Sequence, residues 1–174
     1  MSRAFEFARE AAVRLVTSLR ERGIPVDGIG EQGHWLLDDP PLEEIETALV
    51  DLAKTGKQIS ITELDIDPLP RLEELVGADV SKRVELTPEL NPYVNGLPEE
   101  LQQRLARRYR DIFSLFVKHR AVVSRVTFWG VTDADTWLNH WPVPGRTNHP
   151  LLWGRQGRPK PAFGVVVEAL RDTA

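Results

Sequence analysis

The 174-residue chain contains no cysteine. Disulfide staples and thiolate metal sites are therefore excluded, while the compartment stays open, because a secreted protein can also do without cysteine. Long apolar runs are missing as well: none approaches the roughly 18 residues that a membrane span requires. The first stretch, MSRAFEFAREAAVRLV, is broken by charges and carries no signal-peptide core. Excess positive charge is also lacking, since 22 Lys and Arg stand against 26 Asp and Glu for a net charge of −4. That balance argues against a nucleic-acid partner, and the arginines of RLARRYR (104–110) read as the solvated face of a helix. There is no internal repeat and no low-complexity tract. What is present, 41% hydrophobic and 28% charged residues, is the make-up of one ordinary globular domain.

Ala8, Ala11, Ala12, Leu15, Val16 and Leu19 recur at helical spacing and predict a first helix over about Arg3 to Arg22, stopped by Gly23. A short strand follows over Ile24 to Gly30. Leu42, Ile45, Leu49, Leu52 and Ala53 predict a second helix closed by Gly56. QISITELDI, from Gln58, is the second strand. From about Asp67 to Gly96 the proline-bearing polar chain reads as loop with room for a short helix. Leu101, Leu105, Tyr109, Ile112, Phe113, Phe116 and Val117 give the clearest helix. SRVTFWGV, Ser124 to Val131, is the third strand. His140 to Pro161 is too rich in Pro and Gly for regular structure, and a last helix runs from about Ala162 to Arg171. Strands alternating with helices predict an α/β fold with parallel strands and crossover helices. In such folds the chemistry sits at the carboxyl ends of the strands. That rule singles out GEQGHW, ELDID and WGVTDADTW.

Glu63 ends the second strand. A lone strand-end carboxylate is usually just solvated. Asp65 shares its strand parity, so both side chains can face one side, and His34 lies at the equivalent end of the neighbouring strand. An imidazole placed between two acids orients one of them and is itself held by the other. The residues alone leave the solvated and the functional readings open. Glu31 and His34, three apart, have a spacing that serves metals on helices; in a strand-to-loop context it does not put both on one face. His119, His140 and His149 are scattered and read as surface residues. Trp129 and Trp137 flank GVTDAD and are candidates for a sugar-stacking wall beside Asp133 and Asp135. Trp35, Trp141 and Trp153 fall in loops and are weaker candidates.

Five stretches, VDGIGEQGHW, ITELDIDPLPR, NPYVNGLPEELQQRLARRYRDIFSLFVKH, VTFWGVTDADTWLNHWPVPGRTNHPLLW and PKPAF, closely resemble the carboxyl-terminal half of glycoside hydrolase family 10, the retaining endo-1,4-β-xylanases. The resemblance implies a partial TIM (β/α)8 barrel running from helix five through helix eight, with three parallel strands and four main helices. It makes residues 1–174 one half of a single catalytic domain, with no second domain. By motif it makes Glu63 the catalytic nucleophile, His34 and Asp65 the residues that hold it, and Gln32, Trp129 and Trp137 contacts to the sugar. The implied partner is xylan or a xylo-oligosaccharide, with no cofactor and no metal. The family is usually secreted, and the compartment of this chain is unknown.

A retaining glycosidase needs two carboxyl groups about 5–5.5 Å apart. The family's acid/base glutamate closes strand four in a WDVVNE-like motif, and nothing in this sequence resembles it. A TIM barrel also typically needs about 250 residues. The sequence therefore predicts a half-barrel that lacks its proton donor. The alternative function is a non-catalytic half-barrel that associates with another chain or binds β-1,4-glycan weakly. Barrel-facing side chains of GIG, ISITEL and VTFW are expected to expose an apolar surface, leading to self-association or to rescue by a complementary half-barrel.

Overall fold

The computed structural model describes residues 3–70, 81 and 83–171, with side chains from residue 7 onward. The elements run α1 (Arg3–Glu21), β1 (Gly28–Leu36), α2 (Leu42–Ala53), β2 (Gln58–Asp67), α3 (Glu99–Lys118), β3 (Val123–Phe128) and α4 (Pro161–Arg171). Single 3-10 turns lie at Pro88–Leu90 and Trp137–Asn139. The predicted loop after β2 falls partly on residues outside the described ones. The three strands form one parallel sheet in the order β1-β2-β3. The architecture is a three-strand arc of a β/α barrel, as predicted.

Two strands differ from their predicted limits. β1 starts at Gly28 and runs on through Glu31, Gln32, His34 and Trp35 to Leu36. Those residues are polar enough to read as loop, yet β2 pairs with them up to Leu36↔Asp67. Backbone pairing with a neighbour overrides the local polarity. β3 ends at Phe128, because Gly130 turns the chain away at φ 145°. A Cβ there would sit 2.8 Å from Leu151 Cδ1, so the turn requires glycine.

The core lies on one side of the sheet. Ile59, Ile61, Leu64 and Ile66 of β2 meet Ile45, Leu49 and Leu52 of α2 and Leu105, Tyr109, Ile112, Phe113 and Phe116 of α3. α3 buries the stripe its spacing predicted, and Tyr109 also donates its hydroxyl proton to the Pro150 carbonyl at 2.7 Å. On α1, by contrast, Val16 is buried while Phe7 and Leu15 are exposed. Trp35, predicted in a loop, is a core residue.

None of the described helices covers the opposite face of the sheet. Below the end where Glu63, Asp65 and His34 gather, that face is formed by Gly28, Gly30, Gln32, Ser60, Thr62, Arg125 and Thr127, which are exposed or half-buried. The expected apolar barrel face is therefore corrected. The Ile and Val residues of these strands point to the helices, and the naked face is small and polar. Parallel sheets are normally covered on both faces; here the uncovered face is one that water tolerates.

Glu31 shares strand parity with Trp35 and faces the helices, in a pocket lined by Trp35, Ile45, Leu49, Leu52 and Ile61. His34 faces the other way, so the two cannot share a ligand. Burial pushes the Glu31 carboxyl up from 4.5 to about 7. Below 4.5 both the folded and the unfolded chain hold the proton; between 4.5 and 7 the unfolded chain releases it first. Stability is therefore lost as pH rises through that window, by at most on the order of 3 kcal/mol. Glu31→Met fills the same pocket without a charge. Urea unfolding should show little difference between the two proteins at pH 4.5, and an advantage to Glu31→Met that grows towards pH 7 and then levels off. A pH-independent difference would show that the carboxyl does not titrate there.

Candidate active site

The site forms where β2 carries one residue more than its neighbours. Between Gln32↔Thr62 and His34↔Asp65, β1 advances two residues and β2 three. Between Ile61↔Val126 and Leu64↔Phe128, β2 again carries the extra residue. That residue is Glu63, which has a φ of 58°. Without the bulge Glu63 would follow Ile59 and Ile61 into the helix-side core. With it, Glu63 joins Ser60, Thr62 and Asp65 on the open face, and Leu64 and Ile66 return to the core. Gly33 sits opposite. A Cβ on it would lie 3.0 Å from Leu64 Cδ1 and 3.2 Å from Ile61 Cγ2, so the close approach of the two strands depends on its being glycine.

The structure brings Gln32, His34, Glu63, Asp65, Trp129 and Trp137 together. Gln32 Nε2 donates to Glu63 Oε1 at 3.2 Å. His34 Nε2 lies 3.1 Å from Glu63 Oε2, and His34 Nδ1 lies 3.0 Å from Asp65 Oδ1. Trp137 Nε1 donates to Asp65 Oδ2 at 2.7 Å. The Asp65 side chain is 2% exposed against 23% for Glu63, so the inner acid is sealed and the outer one is open. Trp137 lies against the imidazole at 4.8 Å between ring centroids, and Trp129 stands edge-on to it at 6.3 Å. Trp129 is 46% exposed, which leaves much of its ring free for a ligand.

Both imidazole nitrogens of His34 face carboxylate oxygens. A neutral ring has one N–H and would turn a lone pair on one of them; the imidazolium donates to both. Burial alone would lower the His34 pKa, but the hydrogen bonds and charges of Asp65 and Glu63 outweigh it, and the net shift is upward. The two acids thus favour the imidazolium form of the ring they enclose. It orients Glu63 from one oxygen while Gln32 holds the other, and each carboxylate oxygen retains acceptor capacity towards the open face.

Other residues were not legible as part of this arrangement. Asp67, two positions beyond Asp65, accepts from Leu69 N at 2.9 Å and from Asn148 Nδ2 at 2.9 Å. Burial holds its pKa above the usual value even with Arg146 nearby. Arg146 Nε donates to the Leu90 carbonyl at 2.7 Å and its Nη2 to Pro70, so one guanidinium ties together the loops after β2 and β3. Trp141 stacks on Trp137 at 4.9 Å and 10°; its spacing of four from Trp137 was the available signal. Trp153, predicted as loop, packs on Phe163 at 5.2 Å and pairs as an isolated bridge with Thr132.

Asp133 and Asp135 do not join the group. Asp133 is buried and accepts from Leu151 N at 2.8 Å and Lys160 Nζ at 2.9 Å. Asp135 accepts from Thr132 Oγ1 at 2.9 Å. His149, predicted at the surface, is buried and donates from Nε2 to the Tyr93 carbonyl at 3.0 Å. His119 is half-buried against Glu46 at 2.9 Å, and His140 is exposed. The extended Pro- and Gly-rich segment is thus held by buried side-chain hydrogen bonds in place of helix or sheet.

The sequence profile described as glycosyl hydrolase family 10 matches residues 2–169. The chain is 44% identical over 163 residues to an endo-1,4-beta-xylanase of Geobacillus stearothermophilus, which covers 94% of this chain and 44% of that protein. It is 38% identical over 160 residues to endo-1,4-beta-xylanase A of Xylanibacter ruminicola, covering 92% of this chain and 43% of that protein. Among solved structures, a GH10 endoxylanase from a sugarcane soil metagenome superposes with a TM-score of 0.89 at 45% identity, over 92% of this chain and 46% of that one. The chain therefore spans less than half the length of each of these relatives.

The His34 clamp has a pH signature. Its folded-state pKa lies above the usual 6.5, so the stabilisation it contributes is complete below 6.5 and lost as pH rises through the folded value. In thermal unfolding, wild type should exceed His34→Asn by its widest margin below pH 6.5, and the margin should narrow on the alkaline side. A margin that stays constant from pH 5 to pH 9 would show that His34 is not held as a cation.

Proposed function

Because this chain belongs to glycosyl hydrolase family 10, we propose that it supplies the nucleophile side of a retaining endo-1,4-β-xylanase, as the carboxyl-terminal half of the barrel. The observation that carries this reading is the Gln32–Glu63–His34–Asp65 chain of hydrogen bonds at the strand mouth. Glu63 attacks the anomeric carbon of a xylosyl unit, the carbon–oxygen bond to the leaving sugar breaks, and a glycosyl-enzyme ester forms. Water then hydrolyses the ester with retention. His34, held by Asp65 and through it by Trp137, keeps the attacking oxygen in line and balances the charge that moves off Glu63. Trp129 and Trp137 offer aromatic faces to neighbouring sugar rings, and Gln32 offers an amide.

The proton for the leaving oxygen comes from outside these residues. Glu31 faces the helix-side core and Asp133 is engaged by Lys160, so neither is the acid/base. General acid catalysis of this kind is worth about 10²–10⁴-fold. The 174-residue chain alone is thus inactive on xylan, and activity requires a complementary half-barrel carrying the second carboxyl. The polar open face favours this reading over collapse through exposed apolar strands.

The test uses the chain in a completed barrel, joined to the amino-terminal part of a matched xylanase. A 2-fluoro-xylobioside should label the peptide containing Glu63, as read by mass spectrometry. Glu63→Gln should abolish the label and lower turnover of xylan by at least about 10³-fold. Label on another residue, or full turnover by the variant, would overturn the assignment of Glu63.

A further inference from the structure

The open face of the sheet carries one charge below the mouth. Arg125 of β3 lies in register with Ser60 of β2, which is in register with Gly30 of β1. The three form one layer across the sheet: two small residues and one long cation. The layer above, Gln32 and Thr62, is uncharged, and so is Gly28 below. Arg125 is exposed, and its guanidinium forms no ion pair or hydrogen bond with any described residue. A guanidinium keeps its charge at every ordinary pH. In the open arc, water compensates it. Once further strands close over the same face, that water is lost, and an unpaired buried charge is strongly unfavourable.

Resting on the half-barrel reading above, we propose that Arg125 is the electrostatic key of the open face, and that the chain completing the barrel presents an Asp or Glu carboxylate to it in the same lumen layer. The occupant is the remaining β/α portion of a family 10 barrel. Two features argue for it. The relatives that match are more than twice as long as the matched segment. The face itself is polar with small residues at Gly28, Gly30 and Ser60, which suits the tight interdigitation of a barrel interior better than a flat apolar contact. The Gly30–Ser60 hollow beside Arg125 is the space into which the partner's acid reaches.

The chain is co-expressed with the amino-terminal remainder of the Geobacillus stearothermophilus relative, and the dissociation constant of the purified complex is measured by sedimentation. Three versions are compared: wild type, Arg125→Lys and Arg125→Met. Wild type should form a one-to-one complex. Arg125→Lys should stay within about threefold of it, and Arg125→Met should weaken it at least about tenfold. Neutralising the lumen carboxylate of the partner should cost nothing further in the Arg125→Met background, which is the coupling a double-mutant cycle reads. A complex that forms but is indifferent to Arg125→Met, or that loses as much again when every lumen acid is neutralised in that background, overturns the key while leaving the half-barrel reading intact. Failure of the wild-type chain to associate overturns the half-barrel reading itself, and the key with it.

Discussion

The structure turns on one surplus residue in β2. A strand alternates its side chains, so a strand that buries Ile59 and Ile61 must bury whatever stands at 63 unless the alternation is broken. The bulge breaks it at Glu63, which takes a φ of 58°. That backbone region is costly for a residue with a side chain, on the order of 1–3 kcal/mol. The surrounding packing offsets it: Leu64 and Ile66 are fully buried immediately afterwards, and both neighbouring strands resume pairing beyond the bulge. One local distortion thus keeps the apolar core continuous and still delivers a carboxylate to the other face. Gly33 is the matching feature on β1, because a side chain there would press on Ile61 and Leu64, the two residues on either side of the distortion.

From the bulge outward, each group is held by the next. Glu63 is fixed by Gln32 and His34, His34 by Asp65, and Asp65 by Trp137. Trp137 belongs to a 3-10 turn capped by Thr136 and stacked on Trp141. Behind it, Asn139 donates to the Asp133 and Ala134 carbonyls at 3.1 and 3.0 Å, and Arg155 donates to the Asp133 carbonyl at 2.9 Å. Polar groups buried in this number would be costly if left unpaired. Paired, they give a long segment without helix or sheet one defined shape. The rigidity of the mouth therefore comes from the loop after β3 as much as from the strands.

Much of this was legible in the sequence, and what was missed has a common cause. Periodicity located the four helices, since an amphipathic stripe such as that of α3 repeats over several turns. Parity correctly put Glu63 and Asp65 on one face, but it could not say which face, because that depends on a bulge no local pattern marks. The polar run Glu31–His34 hid the second half of β1, since its strand character comes from pairing with β2. A scattered histidine such as His149 predicts a surface position, whereas its burial goes with a hydrogen bond to the carbonyl of Tyr93, more than fifty positions earlier. GIG, ISITEL and VTFW predict an apolar open face, because a run of residues does not separate the two sides of a strand once the register shifts.

That polar face bears on how an incomplete barrel can hold together. The arc buries Ile59, Ile61, Leu64 and Ile66 of β2 against α2 and α3, so its main core lies within the described elements. Below the mouth, the open face of the sheet leaves bare glycine, serine, threonine, glutamine and one arginine, together with the outer edges of β1 and β3. Bare edges invite strand pairing, and a polar, notched face selects which partner can follow that pairing to closure. Apolar association would accept many partners of poor fit. Closure over hydrogen-bonding side chains and a fixed charge accepts one whose own polar groups fall in register. The same strands that place Glu63 at the mouth thus also carry, on the function proposed above, the selectivity for the partner that closes the barrel.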